Sequence, residues 1–183
     1  RRKTILQMAH LNFDIIPGET DESFPENLRI DQIPIHVARE KGQAARKKEV
    51  FSIYTPSIPV LSADTIVVLD DAIIGKPSNR DEAIDILKKL SDRTHEVITG
   101  VVISTDTREI AFHDITEVTF HHLPESSIEF YVDKYKPYDK AGAYAIQEWI
   151  GVVGIKAING DYYNVMGLPV SRVPRPSWRI SCT

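Results

Sequence analysis

The sequence predicts a mixed α/β fold, and three observations carry it. The run Pro59-Val60-Leu61-Ser62-Ala63-Asp64-Thr65-Ile66-Val67-Val68-Leu69 is rich in β-branched residues, as a strand is. His95 to Ile103 is apolar on both alternating faces, and stretches of helical periodicity lie between and beyond these strand signals. At 183 residues, 42% hydrophobic and 26% charged, the chain can bury a sizeable core in one unit, within which two lobes are expected.

Taken in order, Arg2 to His10 carries Ile5, Leu6, Met8 and Ala9 among polar residues and predicts a short amphipathic helix. Asn12 to Pro17 predicts a strand, and the acidic, proline-containing stretch Gly18 to Arg29 a loop. Ile35 to Glu49 predicts a helix with Val37, Lys41 and Ala45 on one side, so Lys41 projects from the middle of a rigid element. After the strand bearing Asp64, Asp70-Asp71-Ala72 turns the chain back through Ile73-Ile74 to Gly75-Lys76-Pro77, a hairpin able to bring Lys76 near Asp64. Asn79 with Glu82 resembles a capping box for a helix whose stripe is Ala83, Leu87 and Leu90. His95 to Ile103 reads as a central strand covered on both sides. Arg108 to Leu123 predicts one or two strands around His113-Asp114. Pro124 opens a helix with Ile128, Tyr131, Val132 and Tyr135 on one face. Asn159-Gly160 between Ile155-Lys156-Ala157-Ile158 and Asp161-Tyr162-Tyr163 predicts a hairpin.

Composition excludes several classes of function. The net charge of −4 is opposite to the basic footprint of a general nucleic-acid binder, so any polyphosphate must be held by a local cluster of Lys and Arg. Cys182 is the only cysteine, which rules out a disulfide framework and a thiolate metal site and fits a reducing cytoplasm. No apolar run approaches the roughly 20 residues that span a bilayer, and the basic start has no apolar region after it, so neither a membrane segment nor a signal peptide is expected. His113 and His121-His122 lack the spaced partners of a zinc site. Ser62 has no Gly-x-Ser-x-Gly setting, and there is no phosphate-binding Gly-x-x-x-x-Gly-Lys-Ser/Thr loop.

Asp64 is the residue that asks for an explanation. An acid in an apolar strand costs several kcal/mol unless a partner or a task offsets it, since burial of even a neutral polar group costs about 2–7 kcal/mol. The run alone leaves two readings open, an acid satisfied structurally by backbone amides or an acid at work.

Other segments bear on that choice. Arg1-Arg2-Lys3, Ala38-Arg39-Glu40-Lys41, the Asp64 strand with Gly75-Lys76-Pro77, Asp139-Lys140-Ala141-Gly142-Ala143-Tyr144-Ala145-Ile146-Gln147, and Gly160-Asp161-Tyr162-Tyr163-Asn164-Val165-Met166-Gly167-Leu168-Pro169 occur in that order. Together they resemble the Maf family of nucleoside triphosphate pyrophosphatases, from Arg1 to about Arg172. The resemblance implies a mixed central β-sheet flanked by helices with an active-site cleft between two lobes. It also implies hydrolysis of a nucleoside triphosphate to monophosphate and pyrophosphate. It makes Asp64 the proton acceptor, with Lys41 and Lys76 as further catalytic residues and Arg1, Arg2 and Lys140 as cations for the polyphosphate. Such chemistry asks mainly for positive charge, a metal ion and an oriented water. Glu22 matches an acid that, with Asp64, helps hold a divalent cation, Mg²⁺ by expectation and Mn²⁺ as the alternative. One or two carboxylates plus phosphate oxygens suffice for such an ion. Positions matching Arg1, Thr65 and Gln147 are associated with substrate choice in the family. The versions here resemble the branch acting on dTTP and UTP and differ from the branch acting on 7-methyl-GTP. An amide such as that of Gln147 can donate and accept at once, which suits a pyrimidine edge. The alternatives are the same chemistry on another nucleotide, such as 7-methyl-GTP, and a non-catalytic cell-division regulator that binds nucleotide. A homodimer is also implied.

The match departs from the family in places. The family has a strand and a Ser-Pro before the paired arginines, so roughly ten further residues are expected upstream of Arg1, on the order of one strand. Gly42 stands for a usual alanine. Ala145 stands for a usual glycine and is strained if that position needs a positive φ. The expected domain is 1–173. Pro174 and Pro176 forbid the helix that ends the family, leaving 174–183 as a disordered tail.

Overall fold

Two strands with opposite exposures organise the sheet. β3 (Thr94–Ser104) is the central strand foreseen from its two apolar faces, with Val97, Ile98, Val101 and Val102 at most 2% exposed. β1 (Val60–Leu69) pairs antiparallel with β3 along nearly its whole length, Asp64 opposite Gly100, but among the described residues its other edge is paired only at Val67–Leu69, by β2 (Ala72–Ile74). The first half of β1 is therefore half-open and only its second half is continuously buried. β4 (Glu109–Phe120) and β5 (Ile155–Asn159) complete a five-stranded sheet in the order β2-β1-β3-β4-β5. The α/β class stands, but the sheet expected to be mixed is not: every strand pairing among the described residues is antiparallel. The structure, a computed structural model, describes residues 1–18 and 20–173; the tail expected at 174–183 lies outside them.

Alternation along β1 sorts its side chains between two helical layers. Ile66 and Val68 meet Ile33 of α2 (Ile33–Arg46) together with Ile98, while Ile35 and Ala38 of α2 cover Val102. Ala63, Val67 and Leu69 turn the other way into the main core, built with α3 (Arg80–Leu90) and α4 (Glu125–Tyr135) through Ala83, Leu87, Leu90, Ile128, Tyr131 and Val132. Asp64 shares the α2 face and Thr65 the opposite one. A register slip of one residue would exchange them, and the apolar set on both faces opposes that slip.

Local chemistry sets the helix ends. Asn79 Oδ1 accepts from the Glu82 amide at 3.0 Å and Glu82 Oε2 accepts from the Ser78 amide at 2.6 Å, so the expected capping box closes one residue further upstream. α2 starts two residues before the expected Ile35, with Pro34 in its first turn where a missing N–H costs nothing. α1 (Arg2–Met8) is the expected opening helix and buries Ile5.

Two expectations are corrected and one is narrowed. Residues 12–17 form an irregular loop; among the described residues no strand pairs with them, and Ile15 is exposed. Of the one or two strands expected between Arg108 and Leu123, one forms, β4. Asn159-Gly160 makes no hairpin: Gly160, at φ 134°, leads instead into α6 (Tyr162–Val165), whose first turn Asp161 caps by accepting from the Tyr163 amide at 2.7 Å. The short α5 (Trp149–Gly154) precedes β5 and had no sequence signal. No helix among the described residues is long and apolar enough to cross a membrane.

Candidate active site

Along the uncovered edge of β1 lies a cleft of about 1860 Å³. Val60 to Thr65 lines it, with α2 and the Phe51–Pro59 stretch on one side and α1, Tyr144 and the Tyr163–Val173 segment on the other.

Asp64 meets Lys41 because two glycines permit close approach. A Cβ on Gly100, opposite Asp64, would lie 2.3 Å from the Ile35 nitrogen and 2.6 Å from the Pro34 oxygen, so only glycine lets α2 lie this near the sheet. The Lys41 ammonium then reaches Asp64 Oδ1 at 2.7 Å. A Cβ on Gly18 would lie 2.3 Å from the Lys41 carbonyl oxygen, so the acidic loop is able to rest on α2. That contact brings in Glu22, whose Oε1 accepts from Lys41 at 2.6 Å and whose Oε2 accepts from Lys76 at 2.8 Å. Glu22 has φ 56°, a left-handed conformation that costs a non-glycine residue about 1–3 kcal/mol and persists only where the surroundings hold it.

The charges interlock. Burial alone would raise the Glu22 pKa, but the hydrogen bonds from Lys41 and Lys76 outweigh it and hold the carboxyl at about 2. Burial would lower Lys41, but its bonds to Asp64 and Glu22 win and raise it, so the residue stays an ammonium. Lys76 joins the cluster through Glu22 and makes no hydrogen bond or ion pair with Asp64, so the expected hairpin delivers it to the acid's neighbour.

Arg2 enters from α1. Its Nε donates to the Gly167 carbonyl at 2.8 Å and its Nη2 to Thr65 Oγ1 at 3.2 Å. Burial lowers its pKa and the Asp64 charge opposes that. Arg1 also lines the cleft. Thus Asp64, Lys41, Glu22, Lys76, Arg1, Arg2 and Thr65, separated by up to 75 positions, share one cleft.

Comparison with known proteins adds to this geometry. The family described as Maf-like protein matches residues 1–175. This chain belongs to the Maf family. Among its relatives is a protein of Cytophaga hutchinsonii named dTTP/UTP pyrophosphatase, 46% identical over 173 residues that cover 94% of this chain and 77% of the relative. Proteins of Phocaeicola vulgatus and Parabacteroides distasonis with the same name are 44% and 43% identical, each match covering 94% of this chain and 88% of the relative.

Two residues expected at the site of this Maf chain do not line the cleft, although Asp139 and Ala141, on either side of Lys140, do. Lys140 is 8% exposed, donates to Asp139 at 2.7 Å, lies 3.7 Å from Glu148 and does not line the cleft. Its ammonium is held between two carboxylates of the segment that follows α4. Gln147 sits exposed on a turn and does not line the cleft either. Ala145 lacks the positive φ that would strain it; Ala143, at φ 57°, adopts it instead.

The donor set suits a divalent cation. Two carboxylates, from Glu22 and Asp64, already converge on one cationic group, the Lys41 ammonium, and hard oxygen donors are what Mg²⁺ or Mn²⁺ prefers. Among the described residues no group of three or more His, Cys, Asp or Glu can hold a metal, so the remaining ligands of such an ion would be water and phosphate oxygens.

Sequence reasoning missed the Gly167 carbonyl, Tyr144, and the aromatic lining from Phe13, Phe51, Tyr54 and Tyr163. A backbone carbonyl leaves no residue-type signal, and aromatics in this chain are as often core as cleft.

Proposed function

We propose that this chain is a nucleoside triphosphate pyrophosphatase that hydrolyses dTTP and UTP to the monophosphate and pyrophosphate. The observation that carries the reading is the placement of Asp64: a carboxylate on the open edge of β1 inside a cleft whose polar end is lined by Arg1, Arg2, Lys41 and Lys76. That charge pattern fits a polyphosphate beside a base, and the relatives' shared name gives the nucleotide.

Asp64 Oδ1 is engaged by Lys41, and Oδ2 accepts no hydrogen bond among the described residues. Oδ2 takes a proton from the attacking water as its oxygen bonds to phosphorus. The α–β phosphoanhydride bond breaks and pyrophosphate leaves with the bonding pair. A base so placed contributes about 10²–10⁴ in rate. Lys41 and Lys76 offset the charge that develops on the bridging and outer oxygens, and Arg2 presents a planar fork to the phosphates. Glu22 and Asp64 would hold the divalent cation, Mg²⁺ by preference, whose contribution is to neutralise phosphate charge. Thr65 and Arg1, inside the cleft, are assigned to substrate choice; Gln147, exposed and outside the cleft lining, is assigned to base selection on the family likeness alone, and Lys140 to supporting the segment that carries it. A cytoplasmic location and a homodimer belong to the same proposal on the family likeness. With UTP and Mg²⁺, the purified chain should release UMP and pyrophosphate in equal amounts. Release of orthophosphate and UDP instead would contradict the reading.

A further inference from the structure

Behind the cleft a line of buried polar groups runs from Arg2 into the sheet. Arg2 Nη2 donates to Thr65 Oγ1, which lies 2.9 Å from Thr99 Oγ1, and the Thr99 hydroxyl donates to the Asn164 backbone carbonyl at 3.0 Å. Thr99 and Asn164 are wholly buried and do not line the cleft. The order of the protons follows from counting hydrogens. A carbonyl only accepts, so the single Thr99 hydrogen is spent on Asn164, and between the two threonines Thr65 must be the donor. The Thr65 hydrogen therefore points into the sheet and only lone pairs face Arg2.

Asn164 secures the other side. Its Nδ2 lies 3.0 Å from the Val97 carbonyl oxygen and 2.9 Å from Thr116 Oγ1, and the first contact requires a donor, which fixes the amide's orientation. Thr116 Oγ1 also accepts from the Asp161 amide at 3.0 Å. These bonds pin to the sheet the turn that ends at Gly167, whose carbonyl accepts from Arg2 Nε.

We infer that Thr99 and Asn164 are positioning residues that hold the Arg2 guanidinium toward the substrate's phosphates, acting through the Thr65 hydroxyl on one side and the Gly167 carbonyl on the other. The inference rests on the reading of Arg2 as a phosphate ligand given above. Of the five N–H groups of an arginine, these bonds take two along one side, and those left on Nη1 and Nη2 form an end-on pair matched to two phosphate oxygens. Were the Thr65 hydroxyl free to rotate, its hydrogen would at times face an Arg2 N–H, donor against donor, and the guanidinium would lose its anchor.

The test uses Thr99→Val, which keeps the shape and removes the hydroxyl, and Thr99→Ser, which restores it. Leu87→Ala, in the buried face of α3 and party to none of these bonds, controls for a general loss of stability. Affinity for inorganic tripolyphosphate is measured by calorimetry and turnover of UTP by pyrophosphate release. Thr99→Val should weaken tripolyphosphate binding and raise KM by about fivefold or more with kcat within about threefold, the pattern of lost uniform binding, and Thr99→Ser should recover most of it. Should Thr99→Val fail to fold, Thr99→Cys, a weak donor, supplies the comparison. Equal affinities of parent and Thr99→Val would overturn the inference, as would an equal loss in Leu87→Ala, or a parent that does not bind tripolyphosphate. A parent that binds tripolyphosphate but releases no pyrophosphate from UTP or dTTP counts against the proposed activity, while the positioning role is still decided by the affinities.

Discussion

Replacing Asp64 by asparagine separates the working acid from the structural one. Asparagine has the same shape and keeps an oxygen that can accept from Lys41 Nζ, now 2.7 Å from Asp64 Oδ1, but it cannot take a proton from water. The substitution removes one negative charge from a pair whose side chains are 14% and 20% exposed. Lys41 is not stranded, because Glu22 Oε1 still accepts from it at 2.6 Å. The cost to stability is thus that of weakening one charge-assisted hydrogen bond to a neutral one, about 1 kcal/mol, which for a chain of this size lowers Tm by about 2–4 °C. The rate should fall by about 10²–10⁴, the contribution of a general base, and the fall should lie in kcat. Pyrophosphate release at saturating UTP measures the first quantity and a thermal melt the second. Activity within about tenfold of the parent would refute Asp64 as the proton acceptor, being far less than a removed base costs. A Tm loss beyond about 10 °C would mean that the acid holds the fold together.

Three further outcomes are expected. His95 is 2% exposed with only Nε2 partnered, to Tyr144 at 2.8 Å, and burial lowers its pKa from 6.5 to about 4. A folded pKa below the unfolded one means that its stabilising contribution is complete above pH 6.5 and is lost as pH falls toward 4, roughly 3 kcal/mol in all; melts from pH 7 to 4 should show this slope in the parent and lose it in His95→Gln. Gly100→Ala places a methyl 2.3 Å from backbone atoms of Pro34 and Ile35, so α2 must retreat with Lys41, costing about 1–3 kcal/mol and turnover together; unchanged melting and activity would show that α2 does not lie so close. Gln147→Ala removes an exposed side chain and should leave Tm unchanged, yet narrow the preference for UTP over ATP about tenfold, within the cost of one unpaired hydrogen-bonding group, whereas an unchanged ratio removes Gln147 from base selection.

Much of the frame was legible because it rests on patterns with a local cause. The alternating faces of β3, the capping Asn79 and the stripe of α4 each follow from burial or from a terminal hydrogen bond within a few residues. The misread segments are those whose local signal is overruled from a distance. Residues 12–17 look like a strand but pair with no strand among the described residues. Asn159-Gly160 has hairpin composition, yet Asp161 caps a helix immediately after it. At the site, the seven residues that share the cleft were named from sequence, but their geometry depends on glycines at 18 and 100 that yield space and leave no chemical trace. The surroundings of Lys140 were only half legible, since Asp139 adjoins it in the sequence while nothing announces that Glu148 also lies beside it. The Thr99–Asn164 line behind Arg2 was illegible for a related reason, since ordinary threonines and an asparagine become informative only when the direction of each hydrogen bond can be counted.

The central claim is that this cleft cleaves pyrimidine nucleoside triphosphates between the α and β phosphates, and the most direct measurement is a comparison of kcat/KM across dTTP, UTP, CTP, ATP, GTP and 7-methyl-GTP by pyrophosphate release in Mg²⁺. A site that discriminates by one or more hydrogen bonds to the base should favour dTTP and UTP over the purine nucleotides by at least about tenfold. Equal rates on every nucleotide, a preference for 7-methyl-GTP, or no pyrophosphate from any of them would contradict it.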